Sequence, residues 1–167
     1  IPAYNEEPRI GKVIQEVRVA LPEAFIVVIN DCSSDNTKQE ALRNGVEVIS
    51  HPVNLGAGAT LETGYLYAIR NYFDVGIQMD GDGQHLPYEL NNFLSILDGN
   101  EPDIILGNRM GNARGMPFIR LLTNIFTSRI ISRRAHQLIK DSQCGYRYIS
   151  IKVLSSIILK TKRFDSE

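Results

Sequence analysis

Short runs rich in β-branched residues alternate along the chain with longer stretches in which apolar residues recur at helical spacing. Alternation of this kind is typical of an α/β domain with a largely parallel sheet. The pattern predicts strands at residues 25–30, 47–50, 75–79 and 103–107, and helices at residues 9–20, 35–43, 59–72 and 88–97. Ser34 and Pro87 are residue types that commonly begin a helix, and they stand close to two of the predicted starts.

The length of 167 residues suits one domain, so we expect a single catalytic unit over residues 1–167. Its first residues look like the end of a strand and its last ones lack a terminating feature, so we expect a domain cut at both ends. Cys32 and Cys144 lie far apart without a CxxC pair, which indicates reduced cytosolic thiols. No apolar run is long enough to cross a bilayer, so any membrane contact would be peripheral.

Polar side chains stand directly after three of the predicted strands. Asp31 follows the first strand, Asp80 the third, and Asn108-Arg109 the fourth. Ligands of parallel α/β sheets gather at the carboxyl ends of the strands, where loops supply polar groups. We therefore expect these side chains to converge on one edge of the sheet.

The strongest local motif is Asp80-Gly81-Asp82-Gly83-Gln84-His85. Carboxylates two residues apart in extended backbone point to the same side, roughly 6–7 Å apart, and can share one ligand. Oxygen ligands suit Mg²⁺ or Mn²⁺, with substrate phosphates completing the coordination. An ordinary Asp/Gly turn is the alternative, but the preceding strand and the following Gln-His favour the metal site.

Two further loops carry candidate ligands. Residues 33–36 are helix-capping types that need no other function, whereas Asp31 at the strand tip could accept an N–H from a nucleobase. Residues 54–60 resemble a phosphate-binding glycine loop at a helix N-terminus. Because this segment lacks the third glycine of a dinucleotide fingerprint and the Gly-Lys-Ser/Thr of a P-loop, close helix packing explains it equally well.

The segment from 104 to 140 contains no Asp or Glu, and its basic residues are Arg109, Arg114, Arg120, Arg129, Arg133, Arg134 and Lys140. The net charge of −1 excludes a general polyanion binder, and we expect no nucleic-acid partner, but this segment should attract phosphate. Apolar residues between 118 and 138 recur at roughly helical spacing. Such a helix could lie in an anionic membrane interface, or pack on the core with its arginines solvated, and the spacing does not choose between them.

Six blocks in order along the chain resemble the family 2 glycosyltransferases of the GT-A fold, especially the dolichyl-phosphate mannose synthase and polyprenyl-phosphate glycosyltransferase branch. These blocks are residues 1–6, 30–37, 54–58, 80–85, 107–109 and 141–147. The resemblance implies a Rossmann-like three-layer sandwich with a mostly parallel sheet. Asn30 and Gly81 depart from the family, which often has Asp and Ala there, and Cys32 commonly has Gly as its counterpart.

The resemblance also implies roles for individual residues. The nucleoside would be held by Pro2, Tyr4, Glu6 and Asp31. Asp80 would lie near the ribose and the metal, with Asp82 as a principal metal ligand and Gln84 supporting it. Arg109 and Arg120 would face donor or acceptor phosphates, which suits the guanidinium group. The residues implied to carry the transfer itself are Asp82, Arg109 and Asp141.

The implied reaction is transfer of a hexose, with inversion, from a GDP- or UDP-sugar to a polyprenyl phosphate at the cytosolic face of a membrane. A phosphate monoester has a second pKa of about 6 and needs little base catalysis, whereas a hydroxyl acceptor needs a general base. Asp141 is a candidate acceptor-side carboxylate, and a salt-bridging or helix-ending role is the alternative.

Three other functions remain open from the sequence. The first is transfer to a saccharide or diacylglycerol hydroxyl, and the second is a non-catalytic nucleotide-sugar-binding module. The third is a nucleotidyltransferase, whose glycine- and lysine-rich first loop is not visible at residues 1–15. The sequence leaves the sugar, the base, the choice between Mg²⁺ and Mn²⁺ and the oligomeric state undetermined.

Overall fold

The computed structural model describes residues 1–81, 90–97, 101–108 and 118–156. Strands and helices alternate within these ranges. The strands are β1 (Pro2–Ala3), β2 (Val27–Asn30), β3 (Glu47–Ser50), β4 (Val75–Gln78), β5 (Ile104–Leu106) and β6 (Arg147–Ser150). The helices are α1 (Glu7–Ala20), α2 (Thr37–Arg43), α3 (Ala57–Arg70), α4 (Leu90–Leu97), α5 (Phe118–Ala135) and α6 (Ile151–Ser156).

The strands form two groups of three that meet at β1 and β4. Strands β1, β2 and β3 are parallel neighbours in that order, and Pro2 pairs with Ile29. Strand β6 lies between β4 and β5 and runs antiparallel to both, so β4 and β5 are parallel to each other. The Gly81 N–H, just beyond β4, donates to the Pro2 carbonyl at 3.3 Å and joins the two groups.

Helices cover both faces of the sheet, which gives the predicted three layers. On one face, Ile10 and Ile14 of α1 pack with Ala41 of α2 and Phe93 of α4 around the main core. On the other face, Ala68 of α3 and Leu154 of α6 pack against β6. Neighbouring β6 residues serve opposite faces as strand geometry requires, since Tyr148 belongs to the first core and Ile149 to the second.

The predicted elements in the described ranges are present, with shifted ends. Helix α2 begins at Thr37, two residues later than predicted, because residues 34–36 are held by the loop after β1. Helix α3 begins at Ala57, two residues earlier, after Gly56 turns the chain with φ of 91°. It ends at Arg70, and Tyr72 follows in the left-handed region with φ of 58°. The predicted start of the fourth helix at Pro87 and residue 88 lies outside the described residues.

Strand β6 and helix α6 were not predicted. Strand β6 is only four residues long, and α6 follows it without an intervening turn. The β6 sequence carries Arg147 and Ser150 at its ends, so its apolar pattern is too short to show a period. This strand supplies the antiparallel part of an otherwise parallel arrangement.

Replacing Ile14 by Ala tests the main core. Ile14 is fully buried, so the lost contacts and the resulting cavity should lower the free energy of unfolding by about 2–5 kcal/mol. Val19, on the same helix, is 83% exposed, and Val19→Ala should change stability by less than about 0.5 kcal/mol. Urea unfolding monitored by circular dichroism measures both. Equal effects at the two positions would contradict the assigned packing of α1.

Candidate active site

The loops after β1 and β2 are joined by reciprocal hydrogen bonds. Asn5 N–H donates to Ser33 Oγ at 3.0 Å, and Ser34 N–H donates to Asn5 Oδ1 at 2.9 Å. Two acids continue the exchange, because Glu7 N–H donates to Asp35 Oδ2 and Asn36 N–H donates to Glu7 Oε2. The polar residues at 33–36 therefore fix one loop against the other, in addition to starting α2.

Thr37 completes this connection at the start of α2. It is fully buried, its hydroxyl accepts the Glu6 N–H at 2.7 Å, and it also bonds to the Asp35 carboxylate. Burial alone would raise the pKa of Asp35, but the hydrogen bonds from Thr37 and Glu7 outweigh it and hold that pKa below its ordinary value. Asp35 is therefore ionised at neutral pH and works as a loop anchor.

Asp31 is held within the protein. It is 3% exposed, its Oδ1 accepts the Leu55 N–H at 2.9 Å, and its Oδ2 accepts the Gly56 N–H at 2.8 Å. His51 Nδ1 lies 2.8 Å from Asp31 Oδ1, within hydrogen-bond distance. Two amides of the glycine loop at the start of α3 thus bind the chain's own carboxylate, which favours the packing interpretation of this loop over phosphate binding.

Asp80 lies at the end of β4 against tightly packed backbone. A Cβ atom added to Gly145 would lie 2.6 Å from Asp80 Oδ2, closer than carbon and oxygen can approach. On the other side of Asp80, a Cβ at Gly81 would lie 3.2 Å from the Pro2 carbonyl oxygen. A side chain at 145 would therefore displace the Asp80 carboxylate, and one at 81 would require the Pro2 carbonyl to shift slightly. The segment containing Gly145 thus limits where the Asp80 carboxylate can lie.

One cavity of about 300 Å³ brings these segments together. Five residues that the resemblance assigned to the nucleotide line it, namely Pro2, Tyr4, Glu6, Asp31 and Asp80. It is also lined by Gly81 and by residues of the glycine loop at 54–60, namely Asn54, Gly56, Ala57 and Thr60. Asp31 after β2 and Asp80 after β4 therefore converge on one cavity, whereas Asn108 after β5 does not line it and Arg109 lies outside the described residues. The role of each residue stays a prediction.

A second cavity of about 300 Å³ is lined mainly by apolar side chains. They include Val27 of β2, Phe73 of the loop between α3 and β4, and Ile77 of β4. Tyr65 also lines this cavity, burial raises its pKa to about 12, and its hydroxyl donates to Gln78 Oε1. An apolar lining does not suit a diphosphate, so the candidate active site is the polar cavity that contains Asp80.

Several predicted site residues lie outside the described residues. Asp82 and Gln84 fall within 82–89, and Arg109 falls within 109–117. Arg120 belongs to the first turn of α5, and its side chain is outside the described part. Their predicted roles in metal and phosphate binding stay predictions.

The described part of the chain contains no cluster of three or more His, Cys, Asp or Glu side chains that could hold a metal ion. Two of the three predicted ligands, Asp82 and Gln84, fall outside that part. Asp80 fits a hard divalent cation, because it offers carboxylate oxygens, is partly exposed and lines the polar cavity. Asp80 would hold Mg²⁺ or Mn²⁺ together with Asp82 and Gln84.

Asp141 is 1% exposed and lies beneath helix α5. Its Oδ1 accepts Asn124 Nδ2–H at 2.7 Å and the Gln143 N–H at 3.2 Å. Asn124 is itself 1% exposed, and its Oδ1 accepts the hydroxyl of Ser128 at 3.0 Å. The candidate acceptor-side carboxylate is therefore part of a buried network between α5 and the segment that follows it.

Helix α5 buries polar side chains on its inward side and exposes apolar side chains together with arginines on its outward side. Asn124 and Ser128 are buried, whereas Leu122, Phe126 and Ile130 are 50%, 68% and 45% exposed. The last three are spaced by four residues and share one face of the helix. Arg129, Arg133 and Arg134 are exposed as well. This arrangement is the reverse of a helix that packs its apolar face on a core.

Comparison with known proteins identifies the family. The model of glycosyl transferase family 2 matches residues 1–159. The chain belongs to this family. The resemblance drawn from the six sequence blocks is therefore confirmed over nearly the whole chain.

Two relatives of this glycosyltransferase illustrate the match. The polyprenol monophosphomannose synthase of Mycolicibacterium smegmatis is 30% identical over 95% of this chain and 63% of that protein. The UDP-N-acetylglucosamine–dolichyl-phosphate N-acetylglucosaminyltransferase of Methanococcus voltae is 29% identical over 99% of this chain and 74% of that protein. The chain thus spans about two thirds to three quarters of the length of these relatives.

A solved structure confirms the GT-A fold. Glucosyl-3-phosphoglycerate synthase from Mycobacterium tuberculosis, in complex with Mn²⁺ and UDP-glucose, matches with a TM-score of 0.67. The two sequences are 22% identical, and the match covers 93% of this chain and 56% of that one. At this identity the likeness concerns the fold, which is the predicted α/β sandwich.

Gly145→Ala tests the close contact at Asp80. The new methyl group would displace the Asp80 carboxylate, so we expect metal-dependent nucleotide affinity to fall at least about tenfold, a loss of roughly 1.4 kcal/mol. Gly64→Ala is the matched control, because a Cβ at Gly64 in α3 meets Ile29 at an ordinary 3.6 Å. It should leave affinity unchanged and stabilise α3 by up to about 1 kcal/mol. Calorimetric titration with GDP and UDP measures the affinities, and equal values for both variants would contradict the assigned contact.

Proposed function

We propose that this chain is the catalytic part of an inverting glycosyltransferase that moves a hexose from a GDP- or UDP-sugar to a polyprenyl phosphate. The observation that carries the proposal is the polar cavity in which Pro2, Tyr4, Glu6, Asp31 and Asp80 come together. Relatives that align with nearly the whole chain are named as polyprenyl- and dolichyl-phosphate sugar transferases, which supports the acceptor class.

The donor would lie with its nucleoside between the loops after β1 and β2. Tyr4 is 50% exposed and can stack on a base, while the Glu6 carboxylate already pairs with Arg9 at 2.9 Å. The Asp31 carboxylate makes three hydrogen-bond contacts within the chain but still lines the cavity. Its Oδ2 has a remaining lone pair with which to accept an N–H from a base.

The diphosphate would lie over the end of β4, beside Asp80. A divalent cation bound there would neutralise the negative charge that develops on the departing nucleoside diphosphate. The backbone packed around Asp80 holds its carboxylate in place at this site. Arg109, following β5 in the sequence, would add a guanidinium group directed to phosphate, which stabilises the same charge.

The acceptor would approach from the side of helix α5. A polyprenyl phosphate is largely ionised at neutral pH, so its oxygen can attack the anomeric carbon without a strong general base. The attack would occur on the face opposite the departing diphosphate and invert the anomeric centre. Arg120, in the first turn of α5, would contact the acceptor phosphate.

The outward face of α5 would rest on an anionic membrane surface. Its exposed apolar residues can enter the interface, and the arginines beside them can pair with lipid phosphates. The absence of any acid between 104 and 140 removes repulsion from such a surface. None of the helices in the described part combines the length and apolar character needed to span a bilayer. A contact through α5 at the cytosolic face would therefore be peripheral.

The donor and acceptor assignment is tested by sugar transfer assays with Asp80→Asn. Removing the carboxylate charge should lower metal-dependent affinity for the nucleotide at least about tenfold and reduce transfer to polyprenyl phosphate by a larger factor. Asp74→Asn is the matched control, since Asp74 is exposed just before the opposite end of β4. Product formation from GDP- and UDP-hexoses, with Mg²⁺ or Mn²⁺, is followed by mass spectrometry.

Three outcomes would overturn the proposal. Transfer to saccharide or diacylglycerol hydroxyls, with none to polyprenyl phosphate, would move the protein to another acceptor class. Metal-dependent nucleotide binding without any transfer would indicate a binding module. Release of pyrophosphate from a nucleoside triphosphate would indicate a nucleotidyltransferase.

Phe126→Ser tests the membrane surface on α5. Phe126 is 68% exposed, so its loss should leave folding intact but weaken binding to anionic vesicles at least about fivefold, roughly 1 kcal/mol. Leu42→Ser is the control, because Leu42 is a 51% exposed apolar residue on α2. Vesicle co-sedimentation with anionic and with neutral lipid measures both. Equal binding by wild type and Phe126→Ser would exclude α5 as the contact surface.

A further inference from the structure

The segment 141–146 between α5 and β6 is anchored at both ends. At its start, Asp141 binds Asn124 of α5, and Ser142 N–H donates to Ser128 Oγ at 2.9 Å. At its end, Arg147 Nε–H donates to the Cys144 carbonyl at 2.9 Å, and its Nη2–H donates to the Ser142 carbonyl at 3.2 Å. We call residues 141–146 the bridging loop. Its backbone is held to α5 on one side and to β6 on the other.

The bridging loop contacts two parts of the donor side. Gly145 lies directly against the Asp80 carboxylate, so tightly that a methyl group does not fit. Tyr146 accepts the Gly107 N–H at 2.8 Å, and a Cβ at Gly107 would lie 2.9 Å from Cys144 Sγ. Gly107 immediately precedes Asn108-Arg109 in the chain. The loop therefore sets both the position of Asp80 and the end of the strand that leads to Arg109.

The buried network continues this chain of contacts into α5. Ser128 Oγ donates to Asn124 Oδ1 and lies 3.1 Å from Ser142 Oγ, so two successive turns of the helix hold the bridging loop. Both Asn124 and Ser128 are on the inward side, opposite the exposed Phe126. A shift of α5 at its outer face must therefore move the loop or break these buried hydrogen bonds.

We propose that Asp141 is a positioning residue, which through Asn124 and the bridging loop ties the acceptor-side helix α5 to the donor carboxylate Asp80. The inference rests on the proposed function for the identity of the donor and acceptor. Asp141 acts by accepting hydrogen bonds from the Asn124 amide and the Gln143 N–H. In this role it does not touch the substrate. Its burial to 1% exposure fits this role, since the carboxylate is covered by α5 and by its own loop.

Exchanging the two partners tests the positioning role. Asn124→Asp alone places two carboxylates together in a buried site, and like charges there are disfavoured, so nucleotide affinity and turnover should fall at least about tenfold. Adding Asp141→Asn restores one amide and one carboxylate with their places exchanged. Because only the pairing matters for positioning, the double variant should recover at least about tenfold in kcat/KM over Asn124→Asp, with KM for the acceptor returning toward wild type.

A readout independent of turnover is the exchange rate of the Gly107 amide, measured by NMR. Asp141→Ala should release the loop and speed exchange at Gly107 at least about tenfold, whereas Asp141→Asn keeps the acceptor oxygen and should retain most of the protection. Ser132→Ala is the matched control. Ser132 is also on α5, but its hydroxyl bonds to the backbone of Ile139 and to the Ser128 carbonyl within the helix, and not to the bridging loop, so Gly107 exchange should stay unchanged.

Two results would overturn the positioning role. One is a folded double variant with a protected Gly107 amide that remains as inactive as Asn124→Asp, because a carboxylate at 141 would then be needed for the chemistry. The other is unchanged Gly107 exchange in Asp141→Ala. Failure of the proposed function is seen separately, as absence of transfer by wild type, and leaves the Gly107 measurement valid. Should the double variant not fold, the comparison of Asp141→Ala with Asp141→Asn decides the question.

Discussion

A buried carboxylate needs hydrogen-bond donors for its oxygens, and this requirement organises the carboxyl edge of the sheet. Asp31 and Asp141 are 3% and 1% exposed, and each meets the requirement with N–H groups of the chain itself. Asp31 thereby fixes the start of α3, and Asp141 fixes the bridging loop under α5. Asp80 lies between these two anchored segments. Unlike Asp31 and Asp141, it is partly exposed, and it lines the cavity. The hydrogen bonds that compensate the burial of these two acids also hold the segments on either side of the third.

Much of this arrangement follows from local sequence, because strand and helix periods and turn residues act over a few positions. Strand β3 has its predicted bounds of 47–50, and Asp31 and Asp80 stand at the strand ends as predicted. What Asp31 does there could not be read from sequence, since its partners Leu55 and Gly56 lie 24 and 25 positions away. The requirement for glycine at 145 likewise arises from the Asp80 carboxylate, 65 positions earlier, and no local pattern reveals such a contact.

Helix α5 shows why periodicity alone left two interpretations open. Both a core-packed and a membrane-bound helix repeat their apolar residues at the helical period, and the pattern does not say which face is inward. The deciding fact is tertiary: Asn124 and Ser128 find buried partners in 141 and 142, so the polar side turns inward and Phe126 turns outward. The membrane contact proposed for α5 rests on this orientation of its side chains.

The position of the cavity follows from the order of the strands. From β1 the chain proceeds through α1 to β2 and then to β3, which lie on one side of β1. Strands β6 and β5 lie beside β4, on the side away from β1. The two groups meet at the hydrogen bond between Gly81 and Pro2, and the crossovers diverge there. Diverging crossovers leave a crevice at the carboxyl ends of the two central strands, which is where open α/β sheets bind ligands. Pro2 and Tyr4 come from the β1 side of this crevice and Asp80 from the β4 side, so the fold itself provides a site shared by two strands.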